Sequence, residues 1–342
     1  MIGPMARDAL LTFTDRGIYC PAGDFHIDPW RPVGRALITH GHSDHARWGH
    51  GEYLCTHQAL PVIRHRLGDI RISGIAYGEA RRIGGVTVSF HPAGHVPGSA
   101  QIRVEREGEV WVVSGDYKVE PDGLAEAFDP VPCHAFITEC TFGLPVFRWQ
   151  PQSQVMAEIG AWWAKNAAEG RISVLAGYSF GKAQRLIAGI PPRGPILTHG
   201  AVEEINQILR AQGYPLPDTT RVTADIGAKT HPGALVIAPP SALGTPWLRR
   251  FGQPEEAFAS GWMALRGIRR RRGLGSGFVV SDHADWQGLN DAIRATGCDR
   301  VFATHGYTAP FRRWLEEQGY QAGIVSTEYG EETEDPPEAT SP

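Results

Sequence analysis

The stretch Thr39-His40-Gly41-His42-Ser43-Asp44-His45, "THGHSDH", places three imidazoles and a carboxylate within six residues. A single histidine is an ordinary core or surface residue; four metal-ligating groups at this spacing are not. The stretch closes an apolar run, "RALITH" at 35–40, which reads as a strand. His40 and His42 alternate along the extended chain and point the same way. Asp44 and His45 follow where the strand is expected to give way to a turn and helix. Two ligands can therefore serve one metal ion and the next two another.

Two further runs end in the same manner, "GVTVSFHPAGH" at 85–95 and "EVWVVSGD" at 109–116, with "EREGE" at 105–109 supplying a hairpin turn. Polar residues delivered at strand ends are where layered α/β folds place their chemistry. Beyond "AFITECTFG" (135–143) the pattern changes. A helix over 152–168 is followed by "RISVLAG", "KAQRLIAGI", "PILTHG", "VEEINQILRAQG" and "ALVIAPP", strand and helix in turn. That alternation predicts a small parallel sheet with covering helices. "GFVVSDHAD" and "RVFATHG" then read as strands ending in histidine, each followed by a helix. The chain is expected to leave its first domain near residue 145 and return near 274.

The histidine stretch resembles the HxHxDH signature of the metallo-β-lactamase superfamily, and "GH" at 94–95, "SGD" at 114–116 and "THG" at 304–306 fall in the order that resemblance requires. The resemblance implies an α/β fold, an αββα sandwich, with two metal ions. His40, His42 and His95 would hold one, Asp44, His45 and His305 the other, and Asp116 would bridge them. Imidazoles and carboxylates without a thiolate suit Zn²⁺ or Mn²⁺, and such a pair activates water. Cys140 is expected to be a buried small hydrophobe.

Asp116 and His305 lie 189 positions apart, enough for an inserted domain. The strings that flank the interval, "TECTFGLPVFRW" and "SDHADW", resemble motifs A and B of the β-CASP nucleases. By that resemblance Glu139 is the motif A acid, His283 the motif B histidine and His305 the motif C histidine. "YCPAGDFHIDPW", "YSFGKAQR" and "ASGWM" are similar to the bacterial ligase-associated DNA exonucleases, over about residues 14–326. The expected organisation is a first metallo-β-lactamase part over 1–145, a β-CASP α/β insertion over 146–273, a second metallo-β-lactamase part over 274–327, and an acidic tail over 328–342.

The implied activity is hydrolysis of phosphodiester bonds in DNA, as an exonuclease acting in repair and functionally linked to an ATP-dependent DNA ligase. His283, oriented by Glu139, would protonate the leaving oxygen, and Asp44 would accept a proton from the attacking water. Glu139 and His283 can alternatively be read as a structural ion pair. A histidine at motif C is associated with RNA-acting members of the superfamily, so a ribonuclease of the same architecture stays open, as does a non-catalytic nucleic-acid-binding subunit. Small-molecule thioesterases and lactonases need no domain-sized insertion.

Outside the metals, five arginines in "LRGIRRRRG" (266–272) offer phosphate contacts through Arg269, Arg270, Arg271 and Arg272, or simply a solvated face. "GYSFGKAQR" (177–185) puts Ser179 and Lys182 where a strand meets a helix, a place that can hold a terminal phosphate, or where Ser179 is an ordinary helix cap. Trp162 and Trp163, neighbours on an apolar helix, read as core and rim; Trp262 is a better candidate than these for contact with a nucleic-acid strand, with packing its expected role.

Composition fits a globular protein, with 42% apolar and 20% charged residues. The six acids of 328–342 dominate the net charge of −4; without them the rest carries +2, which does not argue against a polyanionic partner. Five scattered cysteines without a CxxC pair suit a reducing compartment. No apolar run has signal-peptide or transmembrane length, so the expected location is the cytoplasm, with no membrane partner.

Overall fold

A computed structural model describes residues 9–267 and 276–325. The chain forms two compact units, one from the segment ending at Arg148 together with the segment beginning at His283, the other from Trp149 to Asp282. The tail over 328–342 lies outside the described residues.

The first unit contains two sheets. One has six strands in sequence order, β1 (Thr12–Thr14), β2 (Gly17–Cys20), β3 (Phe25–Ile27), β4 (Arg35–Leu37), β5 (Glu52–Thr56) and β6 (Ile72–Ile75). It starts as an antiparallel meander and is parallel from β3 onward. The other has seven strands, in the order β19 (Gln321–Ile324), β18 (Arg300–Gly306), β11 (Ala135–Cys140), β10 (Glu109–Val113), β9 (Ala100–Arg106), β8 (Val86–Pro92) and β7 (Arg81–Ile83). Its β7–β10 half is antiparallel, and its β10–β11–β18–β19 half is parallel.

Alternation decides how these sheets are covered. Ile18, Phe25, Ile27, Leu37 and Leu54 of the first sheet meet Val88, Phe90, Ile102, Val104, Trp111, Val113 and Ile137 of the second in one buried cluster, as two sheets packed face to face require. The residues between them point outward. Ala36, Ile38, Tyr53 and Cys55 pack against the helix Leu60–Leu67. Val110, Val112, Phe136, Val301 and Ala303 pack against the helices Trp286–Thr296 and Thr308–Glu317. The layers run helix, sheet, sheet, helix.

The second unit is a wholly parallel six-stranded sheet in the order β14 (Thr220–Arg221), β13 (Ile196–Thr198), β15 (Leu235–Ala238), β12 (Ser173–Ala176), β16 (Glu255–Ala259) and β17 (Ser276–Phe278). Leu175, Leu235, Ile237 and Ala257 face the helices Gln152–Ala168 and Lys182–Gly189, while Val174, Val236 and Leu197 face Leu248 and Phe251. Both faces are buried, which is why these strands read as continuous apolar runs.

Two local expectations change. Of "GFVVSDHAD" only Gly277 and Phe278 are strand, in β17, which pairs with β16, so that strand belongs to the second unit and the return to the first comes at His283. Residues 40–47 form turns and no helix; a single helical turn, Ala46 N–H to His42 C=O at 2.8 Å, closes the loop.

His50 ties that loop down. Its Nδ1 accepts from Val33 N–H at 3.3 Å, its own N–H donates to the Tyr53 hydroxyl at 3.0 Å, and that hydroxyl donates to Arg47 C=O at 2.8 Å. Burial, helped by the His26 and Arg47 charges, lowers its pKa to about 4. A histidine held neutral in the fold contributes stability that is full above its unfolded pKa and is lost as pH falls toward the folded one. The wild type should lose about 1–2 kcal/mol through His50 between pH 7 and pH 5, after discounting for partial solvent screening. His50→Gln, which keeps an acceptor for Val33, should flatten that part of a urea-midpoint profile; an unchanged slope would assign it elsewhere.

Candidate metal centre

The loops after β4, β8 and β10, and the end of β18, bring seven polar side chains together. His40, His42, His95 and Asp116 form one group, and His45, Asp116 and His305 a second; within each, one ligating atom per residue lies within 4.8 Å of the others. Asp116 belongs to both. Its Oδ2 is 3.5 Å from His40 Nε2, 3.7 Å from His95 Nε2 and 3.3 Å from His45 Nε2. Asp44 stands apart from both groups but near the second, with Oδ2 3.6 Å from His45 Nε2, and it lines one recess with His45 and His305.

The donor chemistry fits a divalent cation. His42 Nδ1 sits 3.0 Å from both His40 Nε2 and His95 Nε2, three nitrogens turned toward one point. Burial, and then the neighbouring His45 and His95, push the His40 pKa well below that of a free imidazole. Burial and His45 also lower that of His305. Both stay neutral and offer lone pairs. Burial also disfavours a charged His45, but Asp116, Asp44 and Asp28 outweigh it and raise its pKa well above the usual value. Burial likewise works against a charged Asp116, yet His45 keeps it ionised, with a pKa well below the carboxylate range. A cation entering the second group would displace the His45 proton.

His305 reaches the site through an irregularity in the sheet. Glu139 of β11 pairs with Thr304, but the next residue, Cys140, pairs with Gly306. His305 is the extra residue of a β-bulge, with φ +51°, and the bulge re-aims its side chain. Cys140 is buried there, its thiol donating to His305 C=O at 2.9 Å, and burial raises its pKa well above the usual thiol value.

Asp116 also joins a third group, with Glu139 and His283. Both Glu139 oxygens lie 2.9 Å from His283 Nδ1. A carboxylate only accepts, so Nδ1 carries the proton and Nε2 is left for other work. Tyr117 N–H donates to Glu139 Oε1 at 2.8 Å, fixing the carboxylate, and the His283 ring packs 4.6 Å from that of His95.

No family model matches the chain. It is similar, though, to a ribonuclease and to part of a DNA ligase chain. Over 313 residues it is 30% identical to "Probable DNA ligase" of Opitutus terrae, covering 90% of this chain and 30% of that one. Over 193 residues it is 28% identical to "Ribonuclease TTHA0252" of Thermus thermophilus, covering 48% of this chain and 44% of that one. The chain thus spans less than half the length of either relative. A crystal structure of an Enterococcus faecalis protein of unknown function shares the fold, with a TM-score of 0.58 at 11% identity, over 87% of this chain and 80% of that one.

The residues expected to bind substrate fare differently. Arg269, Arg270, Arg271 and Arg272 lie outside the described residues. Lys182 is buried, with Nζ 3.4 Å from Asp282, and the Gly181 N–H is taken by Gln184 Oε1 at 2.8 Å. Ser179 is half-buried and its carbonyl accepts from Gln184 Nε2; the helix is capped by Gly181. Trp262 and Trp163 are buried, whereas Trp48, three residues beyond His45, is 74% exposed. No described helix is long and apolar enough to cross a membrane.

Sequence reasoning missed Asp28. One of its oxygens accepts from Thr39 N–H at 2.8 Å, and the other accepts from His45 Nδ1–H at 2.8 Å, turning His45 Nε2 toward Asp116. No local sequence signal marks it: Asp28 precedes a proline, where the chain prefers extended backbone, and its φ of +44° is visible only in the structure. A carboxylate behind a metal-ligating imidazole fixes its tautomer and orientation. Asp28→Asn should lower metal affinity at the His45 group by about 10–100-fold, read by chelator competition, while the His40 group is spared. Equal weakening of both groups would show a general loosening of the loop instead. Arg66 was missed as well; it donates to Gly41 C=O, pinning the loop between His40 and His42.

Proposed function

We propose that the chain is a metal-dependent phosphodiesterase of the metallo-β-lactamase and β-CASP type that hydrolyses DNA, as an exonuclease in repair. One observation carries the reading: Asp116 is shared by two metal-ligating groups and by the Glu139–His283 pair, so charge neutralisation and proton delivery converge on a single point. The relative named as a DNA ligase supports a DNA context and a functional link to a ligase.

Two divalent cations, when bound, supply Lewis-acid charge and an activated water. In this reading His40, His42, His95 and Asp116 hold one, and Asp44, His45, His305 and Asp116 hold the other. Zn²⁺ and Mn²⁺ both suit the donor set. Glu139 keeps the proton on His283 Nδ1 and stabilises the imidazolium, and His283 Nε2 gives its proton to the leaving oxygen. Asp44, at the edge of the second group, accepts a proton from the attacking water.

The second reading is a ribonuclease. It draws on the similarity to the ribonuclease over 48% of this chain and on His305. The test is digestion of end-labelled DNA and RNA single strands of matched sequence with Zn²⁺ and with Mn²⁺. Faster shortening of DNA from one end is expected. Preference for RNA would transfer the assignment to the ribonuclease, and absence of cleavage together with absence of bindable metal would favour a binding subunit.

A further inference from the structure

The clearest unassigned feature is a cluster of three buried charges. Lys182, Arg185 and Asp282 are each less than 5% exposed. Lys182 Nζ lies 3.4 Å from Asp282 Oδ2, and Arg185 Nη1 lies 3.1 Å from Asp282 Oδ1 and donates to Ser281 C=O. The two cations occupy the first turn of the helix Lys182–Gly189, which has no acid there. A helix N-terminus disfavours positive charge, and burial disfavours any charge. Two cations held against both effects are compensated here by Asp282, whose carboxylate is ion-paired with both.

Asp282 is the residue before His283, and its neighbours are fixed in turn. Ser281 is held through its carbonyl by Arg185. The His283 side chain is held by both oxygens of Glu139. Ala284 N–H donates to Tyr117 C=O at 2.7 Å, Asp285 caps the next helix by accepting from Gly288 N–H at 2.8 Å, and Trp286 N–H donates to Phe147 C=O. Glu139 and the ties after it orient His283 from one side; the Asp282 cluster is the tie immediately before it.

We propose that Asp282, held by Lys182 and Arg185, is a positioning residue for His283. It fixes the backbone from which the imidazole projects, so that Nε2 meets the leaving oxygen in a productive geometry. This rests on the reading of His283 as the proton donor, and it gives Lys182 a structural task in place of a phosphate contact. A displacement of about 1 Å at a reacting group costs on the order of a hundredfold in rate, so partial loosening of one flank should cost about tenfold.

The test compares Asp282→Asn, Asp282→Glu and His283→Ala, loaded with Mn²⁺, on end-labelled single-stranded DNA, whose leaving alkoxide needs a proton, and on bis(p-nitrophenyl) phosphate, whose leaving group does not. Asp282→Asn should lower kcat on DNA about tenfold, with little change in KM and a much smaller change on the aryl ester. Asp282→Glu should recover part of the loss, and Asp282→Asn added to His283→Ala should cost nothing further. Hydrogen exchange over 279–286 should rise in Asp282→Asn while other segments and metal content stay unchanged. Equal losses on both substrates, full additivity with His283→Ala, or unchanged exchange would overturn the positioning role. If His283→Ala itself slowed both substrates alike, the proton-donor reading would fall first. Should Asp282→Asn fail to fold, Lys182→Met, which removes one of the two ties and leaves the carboxylate paired, gives the same comparison with the same outcomes.

Discussion

Asp116→Asn is expected to abolish activity, by at least about a thousandfold, because the Lewis-acid charge that cations held by both groups would supply amounts to several kcal/mol of barrier, with each 1.36 kcal/mol worth a factor of ten. The effect should exceed that of any single histidine. Asp116 Oδ2 faces His40, His45 and His95 at 3.3–3.7 Å, so an amide there removes the one anionic oxygen common to both groups. Elemental analysis should find fewer than two ions per chain, while the far-ultraviolet circular dichroism stays that of the wild type. Two ions retained per chain, with the activity gone, would place Asp116 in the chemistry and outside metal binding.

The second large effect is expected at His283. Alanine there should slow hydrolysis of a natural phosphodiester by about 10²–10⁴-fold, the range of a positioned general acid, and should spare an activated aryl ester. Glu139→Gln should follow the same pattern with a smaller loss, since the amide can still accept from Nδ1–H but cannot stabilise the imidazolium by charge. A loss independent of the leaving group in both variants would return the pair to the role of a buried ion pair.

How much of this was legible in the sequence depended on whether a signal was local. The ligands of the 39–45 stretch could be read because they sit within seven residues and interrupt an apolar run. The layers of the first unit were expected from the family resemblance alone; the alternation that divides each strand's residues between the sheet-to-sheet core and a helix shows in the structure. The return point was misplaced because "GFVV" is a plausible strand in either unit, and only pairing with β16 decides its membership. Lys182 reads as a phosphate ligand because a lysine at a strand-to-helix junction suits one; the structure sets it beside a carboxylate a hundred positions later, Asp282. Asp28 and Arg66 act on the metal-binding loop from other elements of the first unit, and spacing in the sequence says nothing about such partners.

The bulge at His305 sets fold stability against ligand supply. A histidine at φ +51° occupies backbone that glycine adopts without strain, so the chain retains at this point a residue that its own conformation disfavours. Random drift toward a more stable chain would favour glycine here and would remove one arm of the second group in a single step, leaving the first intact. The second group is therefore the one whose retention depends on continued selection for function.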